Sequence, residues 1–317
     1  MKTIIKTLML LIISTLVVSC NKDNEPELQE YRNTTALSIF VNDGKEGLST
    51  LVSENYSVYT EFWIDGKKSD FEKLTALLPA GNYFRTSINN EYRATTVYRK
   101  KSGEVVTYQF PRNYSLYNDD LLTYYKGGER FKMDTTALGA IHSVDASGEQ
   151  VFAGFFGRQS YSETGAYLQP NKAFYWDGKS KITILPMPTN YYYFTGVSCV
   201  YKSGEDVYVA GKMDFPMYWK NKEMVRLNDN YGEVNQITTQ GSDVYAVGFY
   251  NKRNSNSTGH TACYWINNTL VELEDDAIAY SIFLIGKDVY VAGAKGRFPA
   301  EYKACYWKNG KITIMED

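Results

Sequence analysis

A pattern that recurs through the C-terminal half of the chain constrains its fold more than any other feature. In the clearest copy, four short strands are predicted at Ser281–Ile285, Asp288–Gly293, Ala304–Trp307 and Lys311–Met315. The same motif, Asp-Val-Tyr-Val-Ala-Gly or a variant of it followed by Tyr-Trp and a turn, returns within 150–185, 206–227 and 243–273. Consecutive copies of one four-stranded unit indicate a β-propeller, in which every unit is a blade.

An aromatic pair followed by a turn marks each unit. The pairs are Phe62-Trp63, Tyr124-Tyr125, Tyr175-Trp176, Tyr218-Trp219, Tyr264-Trp265 and Tyr306-Trp307. Periods of roughly 40–50 residues are typical of propeller blades. The abundance of Tyr, Phe and Gly (28, 15 and 24 residues) also favours strands and turns over helices. We therefore predict an all-β fold, a β-propeller of six four-stranded blades over residues 34–317.

The first third of the chain follows the pattern less closely, and it leaves an alternative open. The first unit is predicted to contain strands at Leu37–Val41, Leu48–Val52, Val58–Trp63 and Phe71–Leu74. The second unit carries extra strand material at Glu104–Phe110. Residues 34–102 could instead form a small β-sandwich, which would leave a five-bladed propeller over 103–317. The ring could close by packing between the first and last blades, or by a strand swap from Thr34–Phe40.

The N-terminus has the features of a bacterial lipoprotein leader. Two lysines precede an apolar run, Thr7–Val18, which is shorter than the ~20 residues that a membrane span requires. The run ends in Val17-Val18-Ser19-Cys20, which resembles a lipobox. This resemblance implies that residues 1–19 are a signal peptide and that Cys20 carries lipid, with the body tethered outside a membrane. Residues 20–33 are polar and acidic, so a flexible tether is predicted there.

The repeat and the leader together resemble uncharacterised β-propeller lipoproteins of Bacteroidetes-type bacteria. The motif Asp-Val-Tyr-Val-Ala-Gly followed by Tyr-Trp-x-Asn-Gly carries the resemblance, and it covers roughly Ala140–Met315. The acidic cluster after Cys20 is also similar to the export signal of surface lipoproteins in these bacteria. The resemblance implies a propeller fold and an outer-membrane, surface-exposed location. It brings no known catalytic residues with it.

Charge and metal-ligand patterns exclude several classes of partner. The formal net charge is −2 for the whole chain, which gives no basic surface for nucleic acid. The chain has only two histidines, His142 and His260, and no pair of cysteines at zinc spacing. We predict no metal site and no cofactor. Cys263 and Cys305 occupy the same position of two repeats and are interpreted as small apolar core residues.

Long connections gathered on one face of the propeller are the predicted binding surface. In a propeller, the loops from second to third strand and from blade to blade lie on one face. Here these loops span Phe156–Lys172, Phe249–Thr261, Ala294–Lys303, Pro186–Thr195 and Asn228–Glu233. Aromatic and arginine side chains on such loops suit contacts with a glycan or a protein ligand. The candidate residues are Arg158, Tyr161, Tyr167, Tyr192, Tyr231, Arg253, His260, Arg297, Phe298 and Tyr302.

Catalytic motifs are missing from the sequence. It contains no GxSxG, no HExxH and no phosphate-binding glycine loop. His142, Ser143 and Asp145 share one strand, where neighbours cannot converge as a triad. We therefore predict a non-enzymatic propeller, a binding or scaffold protein for a glycan or protein ligand. The alternatives are a glycan hydrolase or lyase with carboxylates at the channel mouth, and a structural subunit of an outer-membrane complex; the oligomeric state is left open.

Overall fold

Six antiparallel sheets make up the protein, and they are the blades of a six-bladed β-propeller. This computed structural model describes residues 32–54, 57–86, 93–111, 122–147, 149–162, 165–187, 196–252, 259–296 and 302–315, without the side chains at 93–94, 159–162, 165–169 and 212. Five sheets contain four strands and one contains five, and the strands of each sheet pair in chain order. The predicted all-β fold and blade number are confirmed.

The first two blades are formed by the N-terminal part of the described chain. Blade 1 contains β1 (Arg32–Asn42), β2 (Lys45–Glu54), β3 (Ser57–Ile64) and β4 (Lys67–Ser69). Helix α1 (Phe71–Leu77) follows it. Blade 2 contains β5 (Asn82–Thr86), β6 (Arg93–Arg99), β7 (Val105–Pro111), β8 (Thr123–Lys126) and β9 (Glu129–Lys132). The small sandwich considered for 34–102 is therefore wrong, because these residues belong to two blades of the ring.

The remaining four blades correspond to the clear repeats. Blade 3 contains β10 (Gly139–Asp145), β11 (Val151–Ser162), β12 (Gly165–Trp176) and β13 (Ile182–Ile184). Blade 4 contains β14 (Gly196–Ser203), β15 (Asp206–Lys212), β16 (Pro216–Lys220) and β17 (Glu223–Arg226). Blade 5 contains β18 (Gly232–Gln240), β19 (Asp243–Tyr250), β20 (Thr261–Ile266) and β21 (Thr269–Asp275). Blade 6 contains β22 (Ala277–Ile285), β23 (Asp288–Lys295), β24 (Lys303–Lys308) and β25 (Lys311–Ile314).

Two predicted elements differ from the structure. Phe71–Leu74, expected as a strand, belongs to helix α1, which begins because the Asp70 carboxylate accepts a hydrogen bond from the backbone N–H of Lys73 at 2.8 Å. Leu74 of the helix and Leu78, which directly follows it, lie in the core between blades 1 and 2. The region Phe156–Lys172, expected as a loop, is mostly a β-ribbon, because β11 and β12 remain paired as far as Ser162 and Gly165.

Six apolar clusters hold the ring together, one between each pair of adjacent blades. The tryptophans of the third strands lie in these clusters, and Trp219, Trp265 and Trp307 are at most 1% exposed. Cys199, Cys263 and Cys305 are free and buried. The interpretation of Cys263 and Cys305 as core residues is confirmed, and burial of the Trp rings between blades provides much of the hydrophobic stabilisation of the ring.

The ring closes between blades 1 and 6 without a strand swap, so the swap considered for Thr34–Phe40 is wrong. β1 pairs with β2 in its own blade, and an apolar cluster joins blades 1 and 6. Hydrogen bonds reinforce this contact: the N–H of Thr34 donates to the carbonyl of Tyr302 at 2.8 Å, and Thr34 Oγ1 accepts from the N–H of Ala304 at 2.7 Å. Closure therefore combines packing with a few specific polar contacts.

A β-bulge occurs at the same place in five first strands, and in blade 5 it explains the glycine of the repeat. The bulged residues are Leu37, His142, Ser198, Asn235 and Tyr280. Opposite the bulge in blade 5, Gly248 pairs with Val234, and a Cβ on Gly248 would collide with the carbonyl oxygen of Glu233. Backbone cannot move aside as a flexible side chain can, so this position requires glycine.

We predict that Gly248→Ala lowers the free energy of unfolding by about 3 kcal/mol, because the added methyl group must displace the bulged strand. Gly286→Ala is the matched control. It lies in an exposed turn at φ 58 with open space around its Cβ, so it should cost only about 1 kcal/mol of left-handed backbone strain. Urea unfolding of both variants measures the difference. Equal losses would show that the bulge does not require the glycine.

Candidate functional site

The first strand of each blade lines the central channel, but blade 2 has an additional strand there. Residues at the start of β5 line the same cavity as residues at the ends of β10, β14, β18 and β22. β5 therefore runs antiparallel to these inner strands, and β6, which pairs antiparallel with β5, runs in their direction. Strands β6 to β9 thus correspond to an ordinary blade. The extra strand is β5, and the expectation that Glu104–Phe110 was the extra material is wrong.

Strand β5 lies inside the ring and contacts blades on both sides of it. Phe84 packs with Phe40 and Val97 in the cluster between blades 1 and 2. On the alternate face of the strand, the hydroxyl of Tyr83 accepts a hydrogen bond of 2.7 Å from Gln236 Nε2 of blade 5. Side chains of successive strand residues point to opposite faces, so β5 packs outward on the blades and inward across the channel. The Tyr83 side chain therefore reaches across the channel to blade 5.

A cavity of about 410 Å³ lies at the mouth of the channel on the face that carries the short turns. We call it the channel-mouth cavity. Its lining residues come from five inner strands, from β5 and from adjacent turns: Ile39, Gly81, Asn82, Tyr83, Lys101, Asp145, Ser147, Tyr201, Lys202, Ser203, Gly204, Gln236, Thr238, Thr239, Gln240, Ser281, Ile282, Phe283 and Leu284. The lining is rich in hydroxyl and amide groups, with three aromatic rings among them.

Hydrogen bonds fix the orientation of the groups at the floor of the cavity. The Gln236 side chain accepts from the N–H of Ile282 at 2.7 Å through Oε1 and donates to Tyr83 through Nε2, so its amide has one orientation. The rings of Tyr83 and Tyr98 lie 5.0 Å apart, and the Tyr98 hydroxyl donates to the carbonyl of Val144 at 2.7 Å. Burial raises the pKa of both phenols, so they remain neutral.

Asp145 is the buried carboxylate of this region, at 2% exposed. It accepts hydrogen bonds from the N–H of Lys202 at 2.6 Å and from the N–H of Ser147 at 2.9 Å. Burial raises the pKa of Asp145 above its ordinary value, although the two backbone donors act in the opposite direction. The Lys202 ammonium lies 2.7 Å from Glu149 at the rim and pairs with it. Asp145 therefore connects two blades and is not a free catalytic group.

The face with the long connections contains part of the predicted binding surface. The rings of Tyr231 and Phe249 are 6.1 Å apart, and those of Phe249 and His260 are 4.1 Å apart. Tyr231 is 47% exposed. His260 Nδ1 lies 2.7 Å from Asn251 Oδ1, and burial lowers the pKa of His260, with Glu233 acting in the opposite direction. Tyr231 and His260 thus belong to one small aromatic cluster on blade 5.

The other predicted site residues are not shown to converge. Tyr302 is held by its backbone, since its N–H donates to Asn33 Oδ1 at 2.6 Å. Arg158 is an exposed residue of β11, and Tyr161 and Tyr167 lie on the same β11–β12 ribbon. Four further candidates lie outside the described residues: Tyr192, Arg253, Arg297 and Phe298. The predicted binding role of the ten residues stays a prediction.

The described residues show no catalytic arrangement that would support the enzymatic alternatives. Ser143 Oγ accepts from the N–H of Val200 at 3.1 Å, while the His142 ring packs 5.1 Å from that of Phe155. Asp145 bonds to other backbone groups, as described above, so the three residues form no triad. Asp275 contacts Lys252 and Thr261 at 2.7 and 2.8 Å. Within the described ranges, no cluster of three His, Cys, Asp or Glu side chains could hold a metal ion.

Sequence reasoning missed the channel-mouth cavity because it concentrated on the long loops. The signal was present in β18, where Gln236, Thr238 and Gln240 alternate on one face of a strand already assigned to the channel. A polar series on an inner strand indicates side chains that face a wet channel. The position of β5 is harder to predict from the sequence, because neither the length of this strand nor its residue pattern reveals that it runs inside the ring.

Comparisons with known proteins are uninformative about the site. No protein-family model matches the chain, and no curated protein sequence matches it. Among solved structures, it is similar to the acylaminoacyl peptidase of Pyrococcus horikoshii, with 10% sequence identity and a TM-score of 0.45. The match covers 90% of this chain and 52% of that one, so the chain spans about half the length of the peptidase. Where the structure describes the chain, none of its helices has the length and apolar character to cross a bilayer.

We predict that His260 titrates below its ordinary pKa of 6.5, because burial disfavours the imidazolium. The unfolded chain then binds a proton before the folded protein does, so His260 reduces stability as the pH falls below about 6.5. NMR of the imidazole Cε1 protons measures the pKa, with His260→Gln assigning the signal. Denaturant unfolding of the same variant should show a weaker loss of stability on acidification. A signal that titrates above 6.5 would contradict burial of the ring.

Proposed function

We propose that the protein is a surface-tethered lipoprotein whose propeller binds a glycan in the channel-mouth cavity, without catalysing a reaction. The observation that carries this proposal is a cavity of about 410 Å³ with a polar lining and with β5 beneath it. Its volume is in the range of small-molecule sites. Tyr83 of β5 and Gln236 of β18 are hydrogen-bonded to each other in its lining, so part of the wall is held in a fixed position.

The chemistry of the lining matches a hydroxyl-rich ligand. The Thr238 hydroxyl can donate and accept hydrogen bonds, as sugar hydroxyls do. Ser203 Oγ accepts from Thr239 and Gln240 Nε2 donates to the Gly286 carbonyl, which leaves the Ser203 hydroxyl proton, the Gln240 amide oxygen and its second N–H for a ligand. The rings of Tyr201 and Phe283 add apolar surface that can contact the C–H face of a sugar ring. The Gln236 amide already has its oxygen and nitrogen engaged, so it provides a rigid floor.

The carboxylates at the cavity favour binding over glycoside hydrolysis. Glycosidases generally use two carboxyl groups separated by about 5–9.5 Å. Among the described residues that line this cavity, Asp145 is the sole carboxylate. It is almost fully buried and accepts two backbone hydrogen bonds. This arrangement supplies a structural contact and lacks the acid–base pair of a hydrolase.

A second candidate surface is the aromatic cluster of Tyr231, Phe249 and His260 on the long-loop face. The exposure of Tyr231 beside two packed rings favours it as an anchor for a protein ligand. Attachment to the outer membrane rests on the leader and on Cys20, which lie outside the described residues. Surface tethering is consistent with a ligand that arrives from outside the cell.

The two surfaces make opposite predictions for matched variants. A glycan array with residues 28–317 identifies a ligand, and calorimetry then measures its affinity. Thr238→Val with Gln240→Ala should weaken binding at least 10-fold, because two hydrogen bonds to the ligand are lost. The control, Arg158→Ala with Arg253→Ala and Arg297→Ala, should leave affinity within about twofold. Both variants should keep the melting temperature of the parent within a few degrees.

Other outcomes would assign the function to the long-loop face or to a different class of ligand. Loss of glycan binding in the triple arginine variant alone would place the ligand on the long-loop face. An array without any reproducible glycan would contradict the proposed ligand class. A protein partner recovered from membranes with the lipidated protein, and lost on mutation of Tyr231, would then support the protein ligand or the outer-membrane complex.

A further inference from the structure

Arg85 extends from β5 into the centre of the propeller, between blades 4 and 5. Its Nη1 lies 3.4 Å from the carbonyl oxygen of Asn235, and its Nη2 lies 3.5 Å from that of Ser198. The backbone of the same residue is tied to blade 1, because its N–H donates to Ser38 Oγ at 2.8 Å and its carbonyl accepts from Ser49 Oγ at 2.5 Å. The position of the guanidinium in the channel is therefore well defined.

Among the described residues, no anionic side chain pairs with the charge of Arg85. A guanidinium stays protonated at any physiological pH. The side chains that influence it most are Tyr83, Cys199 and Tyr98. Burial raises the pKa of both phenols, and it raises the pKa of the Cys199 thiol to about 11, so all three groups are neutral near pH 7. No ion pair joins Arg85 to a carboxylate of the described residues.

Asp145 is not the counter-ion of Arg85. Its carboxylate oxygens accept from the backbone N–H groups of Lys202 and Ser147, and it makes no ion pair with Arg85. Charged groups inside proteins are normally paired, since removing an isolated charge from bulk water is unfavourable. Arg85 is only partly accessible to solvent, so it lacks the full hydration that would offset the missing partner.

The donors of the guanidinium are also incompletely used. Arginine has five N–H donors in a planar fork that suits the two oxygens of a carboxylate or a phosphate. The two carbonyl contacts of Arg85 are long, and its side chain also contacts the Tyr83 hydroxyl and the Cys199 thiol. Neutral partners at these distances leave capacity for a stronger, charged acceptor.

We propose that Arg85 forms an anion-binding site inside the propeller channel, which receives a carboxylate or phosphate group of a small ligand. Tyr83 lies two residues before Arg85 on the same face of β5 and separates it from the channel-mouth cavity. Arg85 itself is not among the residues that line this cavity, so the anion site and the proposed glycan site use different groups. Anion binding at Arg85 does not depend on the function of that cavity, and the two are tested independently.

The test measures the melting temperature of the full chain in a mild detergent. Sodium phosphate and sodium glucuronate are titrated separately, with sodium chloride keeping the ionic strength constant. An anion that binds the folded state raises the melting temperature in a saturable manner, by roughly 3 °C at 100-fold excess over its dissociation constant. The two salts distinguish a phosphate ligand from an acidic sugar.

Three variants locate the effect. Arg85→Met removes the charge and should abolish the rise, whereas Lys101→Met, at the rim of the channel-mouth cavity, should retain it. Thr238→Val with Gln240→Ala should retain it too, which separates this site from the proposed glycan site. A rise that persists in Arg85→Met, or its absence in the parent protein with both salts, would overturn the proposal and leave Arg85 as a structural bridge between blades.

If Arg85→Met does not fold, a measurement on the parent protein decides the question. Crystals soaked in sodium selenate, an anion with anomalous scattering, should show a peak within hydrogen-bond distance of the Arg85 guanidinium. Peaks confined to the outer surface of the propeller would overturn the proposal.

Discussion

The inner edge of each blade is the constraint on which the rest of this structure depends. The first strand of a four-stranded blade has a ladder partner on one side only, so its channel-facing N–H and carbonyl groups need other partners. Side chains from the neighbouring inner strand provide them. Ser143 and Asp145 of blade 3 bond to the backbone of blade 4, Ser198 of blade 4 to blade 5, and Asn235 and Gln236 of blade 5 to blade 6. These contacts join neighbouring blades at the channel.

Blade 2 solves the same problem differently, and this difference gives the protein its cavity. Its inner edge, on β6, is paired with a fifth strand. That strand must lie within the channel, and its side chains must suit a polar interior on one face and the core between blades on the other. Phe84 meets the apolar requirement, while Tyr83 and Arg85 extend across the channel. The Tyr83 contact within the channel-mouth cavity and the Arg85 guanidinium at the centre of the propeller both come from this one extra strand.

The sequence predicts the periodic parts of this architecture well and the exceptional parts poorly. Blades 3 to 6 follow from the Asp-Val-Tyr-Val-Ala-Gly motif and from the Tyr-Trp pair, because each residue type has one physical task there: Gly248 admits the bulge, and Trp265 fills the space between blades. Helix α1 was missed because Phe71–Leu74 was assigned as the fourth strand that each unit requires, whereas β4 (Lys67–Ser69) has that place. The direction of β5 was missed because pairing between distant segments leaves no local pattern.

The candidate site was predictable only in part for the same reason. Tyr231 and His260 are brought close to one another by Phe249, as the concentration of aromatic residues on long loops suggested. Arg85 and the cavity residues depend on which side chains face the channel, and that is set by the register of the inner strands. A one-residue shift in register would exchange the two faces of a strand, so sequence reasoning needs the bulge positions before it can assign the lining.

The most direct test of this account is hydrogen exchange across residues 82–86, followed by mass spectrometry of the native protein. If β5 pairs with β6 inside the ring, its amides should exchange as slowly as those of β10 and β14, because they open only when the propeller opens. Exchange at the rate of an exposed loop would show that β5 is not held in the channel. It would then remove the basis for both the channel-mouth cavity and the anion site.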